Sequence, residues 1–191
     1  VSVVSSTQLN LNWTATTGAA TYNLYRSTTT GTEGTTPIVT GITTTSYSNT
    51  GLTANTAYFY KVAAVNAGGT GAQSTEATAT TLPNAPTAPT GLSATAISQT
   101  QINLAWTDNS NNETGFKVER ATDSAFSVNL TLVTTTAANA VSYNDTSVVA
   151  NTQYYYRVRA TNTGGDSANS ASTTATTLPN APAAPSGLTA T

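Results

Sequence analysis

Thr56-Ala57-Tyr58-Phe59-Tyr60-Lys61-Val62-Ala63 and Thr152-Gln153-Tyr154-Tyr155-Tyr156-Arg157-Val158-Arg159 are one pattern written twice, 96 positions apart. Tyr58, Tyr60 and Val62 share one face, as do Tyr154, Tyr156 and Val158, while Lys61 and Arg157 fall on the other. A two-residue period belongs to a strand with one buried face. Aromatic and β-branched residues suit such a pleated, half-buried surface. Asn66-Ala67-Gly68-Gly69 and Asn162-Thr163-Gly164-Gly165 follow and supply the positive-φ residues of a hairpin turn.

Outward from this pair the duplication continues. Leu9-Asn10-Leu11-Asn12-Trp13 alternates like Ile102-Asn103-Leu104-Ala105-Trp106, and Tyr22 and Leu24 match Phe116 and Val118. Thr81-Leu82-Pro83-Asn84-Ala85-Pro86 recurs verbatim from Thr177 to Pro182. No stretch shows a helical apolar period with caps. The period far exceeds a solenoid unit, so each repeat is a domain with its own core. The 191 residues suit two domains of about 95 residues. The class is all-β, with tandem antiparallel sandwiches whose cores centre on Trp13 and Tyr58, then Trp106 and Tyr154.

Further residues carry a family likeness. Leu52-Thr53-Ala54-Asn55-Thr56-Ala57-Tyr58 is matched by Val148-Val149-Ala150-Asn151-Thr152-Gln153-Tyr154. To these add the entry Ala88-Pro89-Thr90-Gly91-Leu92, Trp106, and Phe116-Lys117-Val118-Glu119-Arg120. Each module thereby resembles a fibronectin type III domain, an immunoglobulin-like sandwich. The resemblance implies a tyrosine corner, in which the Tyr58 and Tyr154 hydroxyls bond backbone in the preceding connection. The loop Asp108-Asn109-Ser110-Asn111-Asn112-Glu113-Thr114-Gly115 is similar to that of bacterial members appended to secreted or surface proteins. Module one departs there with the shorter Ala15–Ala20 segment. The expected organisation is a module over 1–82, its first strand completed by a preceding copy; a Pro-rich linker, 83–89; a second module, 90–178; and 179–191, a linker and the first strand of a next module.

The two ends of the chain read into each other. Pro185-Ser186-Gly187-Leu188-Thr189-Ala190-Thr191 followed by Val1-Ser2-Val3-Val4 repeats the course of Pro89 to Ile97, with a two-residue excess. A head-to-tail covalent array explains this, and so does strand donation between copies. Pro83, Pro86, Pro179 and Pro182 recur at three-residue spacing, which favours polyproline II and a semi-rigid spacer. The last prolines of each linker also serve to begin a strand and protect its edge.

Composition limits function. Only 7% of residues are charged and the net charge is −2, so no basic surface exists for nucleic acid. His and Cys are absent, which removes the commonest acid/base and the thiol nucleophile. Asp108 and Glu113 read as parts of a side-chain-capped turn. No catalytic residue, metal site or cofactor site is expected, and the chain reads as no enzyme. No apolar run is long enough to cross a membrane, and no leader segment opens the sequence.

Tyr25, Phe59 and Tyr155 fall on outward strand positions and are candidate surface contacts, for sheet packing, another molecule or a sugar. Asn12, Asn112, Asn129 and Asn144 each head a glycosylation acceptor triplet. The weakly charged, Thr-rich surface permits lateral packing of rods. The expectation is an extracellular or cell-surface structural repeat, a filament, sheath or stalk, with itself as partner. The alternative is a spacer or carbohydrate-binding accessory module of a secreted polysaccharide-degrading enzyme or adhesin.

Overall fold

The computed structural model describes residues 1–187. Within them the chain divides into two compact units between Asn84 and Ala85, inside the proline-rich segment. Sixteen strands and no helix form among the described residues.

The first unit runs β1 (Ser2–Val3), β2 (Gln8–Asn12), β3 (Thr21–Ser27), β4 (Val39–Ile42), β5 (Ser46–Thr50), β6 (Ala57–Asn66), β7 (Gly69–Thr70) and β8 (Ala77–Thr80). One sheet is ordered β1-β2-β5; the other is β4-β3-β6-β7, with β8 also on β6, and all pairings are antiparallel. Leu9 and Leu11 of the first sheet meet Leu24, Tyr58 and Tyr60 of the second. Alternation decides this: β2 is buried at Leu9 and Leu11, and β6 at Tyr58 and Tyr60.

The second unit repeats the plan. It runs β9 (Thr90–Ala96), β10 (Ile102–Thr107), β11 (Gly115–Ala121), β12 (Thr131–Thr135), β13 (Ser142–Asp145), β14 (Gln153–Asn162), β15 (Gly165–Asp166) and β16 (Thr173–Thr176). Its sheets are β13-β10-β9 and β12-β11-β14-β15, with β16 on β14. Ile102, Leu104 and Trp106 face Phe116, Val118 and Tyr156 across the core. Removing each Ile, Leu, Val or Phe from water is worth roughly 1.5–3 kcal/mol, so these two facing rows are a concentrated part of the hydrophobic gain that offsets chain entropy.

The units differ at their first strand. β9 runs along β10 as far as Thr107, whereas β1 reaches only Asn10 and Leu9 of β2. Trp106 is therefore buried, but Trp13, expected in the core, is half-buried at its edge, with its ring set edge-on to Tyr22. The first unit also makes its own short first strand, β1. The expected donor residues at 188–191 lie outside the described residues. Pro86 and Pro89 are buried, Pro89 directly before β9, and Pro83 is half-buried; Pro179 and Pro182 are exposed.

Candidate functional site

The outer face of the β3-β6 pair is where aromatic contacts were expected. Tyr25 lies directly across the ladder from Lys61. Strand alternation puts it outward, yet it is only 4% exposed. The loop between β3 and β4 returns over it: Glu33 pairs with Lys61 at 2.7 Å, and Gln73 donates to the Gly34 carbonyl at 2.7 Å. Tyr25 is thus a lid-covered residue and not a surface contact. Phe59 is half-buried opposite Ser27 and Thr78, and Tyr155 is half-buried opposite Ala121 and Thr174. No flat aromatic platform results.

The corresponding place in the second unit uses the same parts in exchanged positions. Arg157 replaces Lys61, the strand supplies the acid, Glu119, and the loop supplies the aromatic ring, Phe126. Arg157 pairs with Glu119 at 2.6 Å and lies 4.4 Å over the Phe126 ring. The pairing extends as Glu119–Arg159, Arg159–Asp166 and Lys117–Asp166, at 2.8, 2.9 and 2.8 Å. Burial raises the Asp166 carboxyl, but hydrogen bonds from Lys117 and Thr161 outweigh it and leave its pKa below the usual range. In the first unit the Lys61 ammonium holds the Glu33 carboxyl at about 2. Charges on both faces are answered within the module, and little is left to attract an ionic ligand.

At the other end of these strands sits a clasp that joins the two sheets. The Tyr58 hydroxyl accepts the Thr53 N–H at 2.9 Å, and Tyr154 accepts that of Val149 at 3.2 Å. Arg26 lies 5.3 Å over the Tyr58 ring and Arg120 lies 4.8 Å over Tyr154. In the first unit Arg26 donates to Asn49, whose amide donates to the Tyr60 hydroxyl. In the second, Asp145 stands in place of Asn49. It takes Arg120 at 2.7 Å, the Tyr156 hydroxyl at 2.9 Å, and both the hydroxyl and N–H of Ser147. Burial pushes the Asp145 carboxyl up; the Ser147, Tyr156 and Arg120 donors together bring it below its ordinary value. Burial, then the Asp145 charge, pushes the Tyr156 phenol up.

Two residues that sequence reasoning did not single out complete the clasp. Buried Thr81 donates its hydroxyl to the Thr53 carbonyl at 2.7 Å and accepts the Thr56 N–H at 3.0 Å. Thr177 does the same with Val149 and Thr152, at 2.6 and 3.0 Å. Their signal was the verbatim recurrence of Thr81–Pro86, read only as a mark of the repeat and for its prolines.

The remaining candidates stay apart. Asp108 accepts the Ser110 N–H and Glu113 accepts that of Asn139, so the two carboxylates serve separate turns. Glu113's own N–H, chiefly, lowers its pKa. No group of three or more metal-ligating side chains forms among the described residues. Asn12, Asn112, Asn129 and Asn144 are all exposed; Asn12 and Asn144 stand on strands and Asn129 has φ 54°. Among the described residues no helix is long and apolar enough to cross a membrane.

Residues 1–80 and 87–176 each match the model of the fibronectin type III domain. The chain belongs to the fibronectin type III family. Fibronectin type III domains are generally non-catalytic modules, and this chain holds two in tandem. Over 172 residues, 86% of the chain, it is 34% identical to Exoglucanase B of Cellulomonas fimi, and it spans only 15% of that protein. Among solved structures it is similar to the chicken CNTN1 FN1–FN3 domains, with TM-score 0.58, 22% identity, and coverage of 91% of this chain and 61% of that one. That likeness concerns the fibronectin type III fold alone.

Proposed function

We propose that this chain is a pair of accessory fibronectin type III modules in a bacterial polysaccharide-degrading enzyme that works outside the cell, and that it acts as a spacer and not as a catalyst. The observation that supports this is the 34% identity to Exoglucanase B along 86% of the chain. The surface chemistry agrees with it. Most of the basic side chains pair with carboxylates of their own module and the exposed faces are rich in Thr, Ser and Asn, so the modules hold their shape with few charges free to recruit ionic partners. The covering of Tyr25 weakens a sugar platform on the β3-β6 face and moves the reading towards spacing.

The filament reading rests on the internal repeat and the matching ends, and the comparisons lend it no support. The test is the sequence of the whole polypeptide on both sides of these residues, with retention of the chain on insoluble glucan as its companion. A polysaccharide-cleaving domain in the same polypeptide is the expected result. Further copies of this period alone, without such a domain, overturn the reading in favour of a fibre.

A further inference from the structure

On the outer face of the first unit, flanked by β3, the β3-β4 loop and the segment from β7 to Gln73, lies a cavity of about 480 Å³. Tyr25, Pro37 and Gly71 line it with apolar surface, and Asn23, Thr35 and Thr70 add an amide and two hydroxyls. Its size falls within the roughly 300–1,000 Å³ of small-molecule pockets, which combine apolar walls with a few polar groups. Among the described residues no hydrogen bond engages the side chain of Asn23, Thr35 or Thr70. The walls themselves are tied down. Gln73 donates to the Gly34 carbonyl at 2.7 Å, and the Gly71 N–H donates to the Ala64 carbonyl at 2.8 Å.

The second unit shows what these positions carry when the face is only structural. Ladder register matches Asn23, opposite Ala63, with Lys117, opposite Arg159. It matches Thr70, opposite Val65, with Asp166, opposite Thr161, and Tyr25, opposite Lys61, with Glu119, opposite Arg157. In the second unit Lys117 and Arg159 both pair with Asp166, at 2.8 and 2.9 Å, and Arg159 pairs with Glu119 at 2.8 Å. Those four charged side chains satisfy one another. The first unit has Asn23, Ala63, Thr70 and Tyr25 in their places, so the charges are gone and hydrogen-bonding groups are left uncommitted.

Nothing in this cavity selects an anion or a cation. Lys61, across the ladder from Tyr25, is held by Glu33 at 2.7 Å. An amide and hydroxyls both donate and accept hydrogen bonds, as sugar hydroxyls do. Tyr and Pro surface suits the apolar C–H faces of a sugar ring. We propose that the cavity binds a neutral oligosaccharide, with Asn23 and Thr70 bonding its hydroxyls beside Tyr25 and Pro37. This is a pocket and not an aromatic platform, so it stands although Tyr25 is covered. The choice of glucan as the first probe rests on the accessory-module reading; the pocket does not.

NMR titration of the full chain with neutral oligosaccharides of glucan, xylan and mannan tests it. The expected result is saturable shifts of the Asn23 side-chain amide and of the Thr70 and Gly71 N–H signals with at least one of them, equal at low and high salt because no ion pair is made. The double variant Asn23→Lys, Thr70→Asp gives the first unit the ion pair that the second carries at those positions, and should abolish the shifts. Asn23→Ala, a smaller change, should weaken binding about tenfold. The dispersion of the same spectra shows that each variant is folded. Binding of xylan or mannan in place of glucan upholds the pocket. No shift with any of the three overturns it and leaves the accessory-module reading, which the flanking sequence tests, where it stands. Shifts that both variants leave unchanged, or that fade as salt rises, overturn it too.

Discussion

Thr177 and Tyr154 hold the same turn from two sides, and their substitutions separate what a hydroxyl does from what a side chain fills. Tyr154→Phe keeps the ring under Arg120 and removes only the acceptor of the Val149 N–H. The expected loss is about 1 kcal/mol, the net worth of one hydrogen bond. Thr177→Val conserves volume but leaves the Val149 carbonyl and the Thr152 N–H facing an apolar, buried side chain in a part-buried turn. Unmet buried groups cost more than the bond that is lost, so the expected penalty is about 2 kcal/mol. Urea unfolding followed by Trp106 fluorescence measures both. Equal effects, or a larger one for Tyr154→Phe, would mean that the threonine is not what closes the corner.

Among the elements, the strands were legible in the sequence because their central core positions alternate: Leu9 and Leu11, Tyr58 and Tyr60, Tyr154 and Tyr156 are all buried as the pattern requires, and only past Tyr60 does β6 depart from it, with Val62 half-buried and Ala63 buried. Tyr25 was not legible, because its burial is imposed by a loop. Periodicity places it on the outer face of β3, but Glu33 and Gln73 bring a distant segment over it, and no local pattern encodes that return. The clasp was legible in part: the two tyrosines stand in a recognisable motif, while Asn49, Asp145, Thr81 and Thr177 become meaningful only once two sheets meet. Gly115 is a further case. It opens β11 so close to the next strand's exit that a Cβ would collide with the Thr136 carbonyl. Backbone cannot yield as a flexible side chain does, so Gly115→Ala is expected to cost about 1–3 kcal/mol in the second unit. Thermal unfolding checks it; a change within the noise would show that β11 and the Thr136 turn can separate freely.

For the whole molecule, the two modules share a fold but not an electrostatic design, and acid should distinguish them. The second holds four carboxylates whose pKa lies below the ordinary value, Glu113, Asp123, Asp145 and Asp166, against Glu33 in the first. A carboxylate with a depressed folded pKa stabilises above its unfolded pKa, here 3.8 for Asp and 4.5 for Glu, and that stability fades as pH falls through the folded value. Both modules therefore lose stability below about pH 4.5, and the second is expected to lose more, because protonating buried Asp145 removes the charge that answers half-buried Arg120. Asn49 at the same place has no proton to gain. Single-tryptophan variants report each module alone: Trp106→Phe follows the first and Trp13→Phe the second. For domains of this size each kcal/mol lost lowers Tm by roughly 4–8 °C, so between pH 7 and pH 3 the second module's transition should fall further by an interval that thermal melts resolve. Asp145→Asn, which gives the second module the first one's amide, should narrow that interval. Parallel shifts in the two modules, or a gap that Asp145→Asn leaves unchanged, would show that the buried carboxylate does not set the acid response.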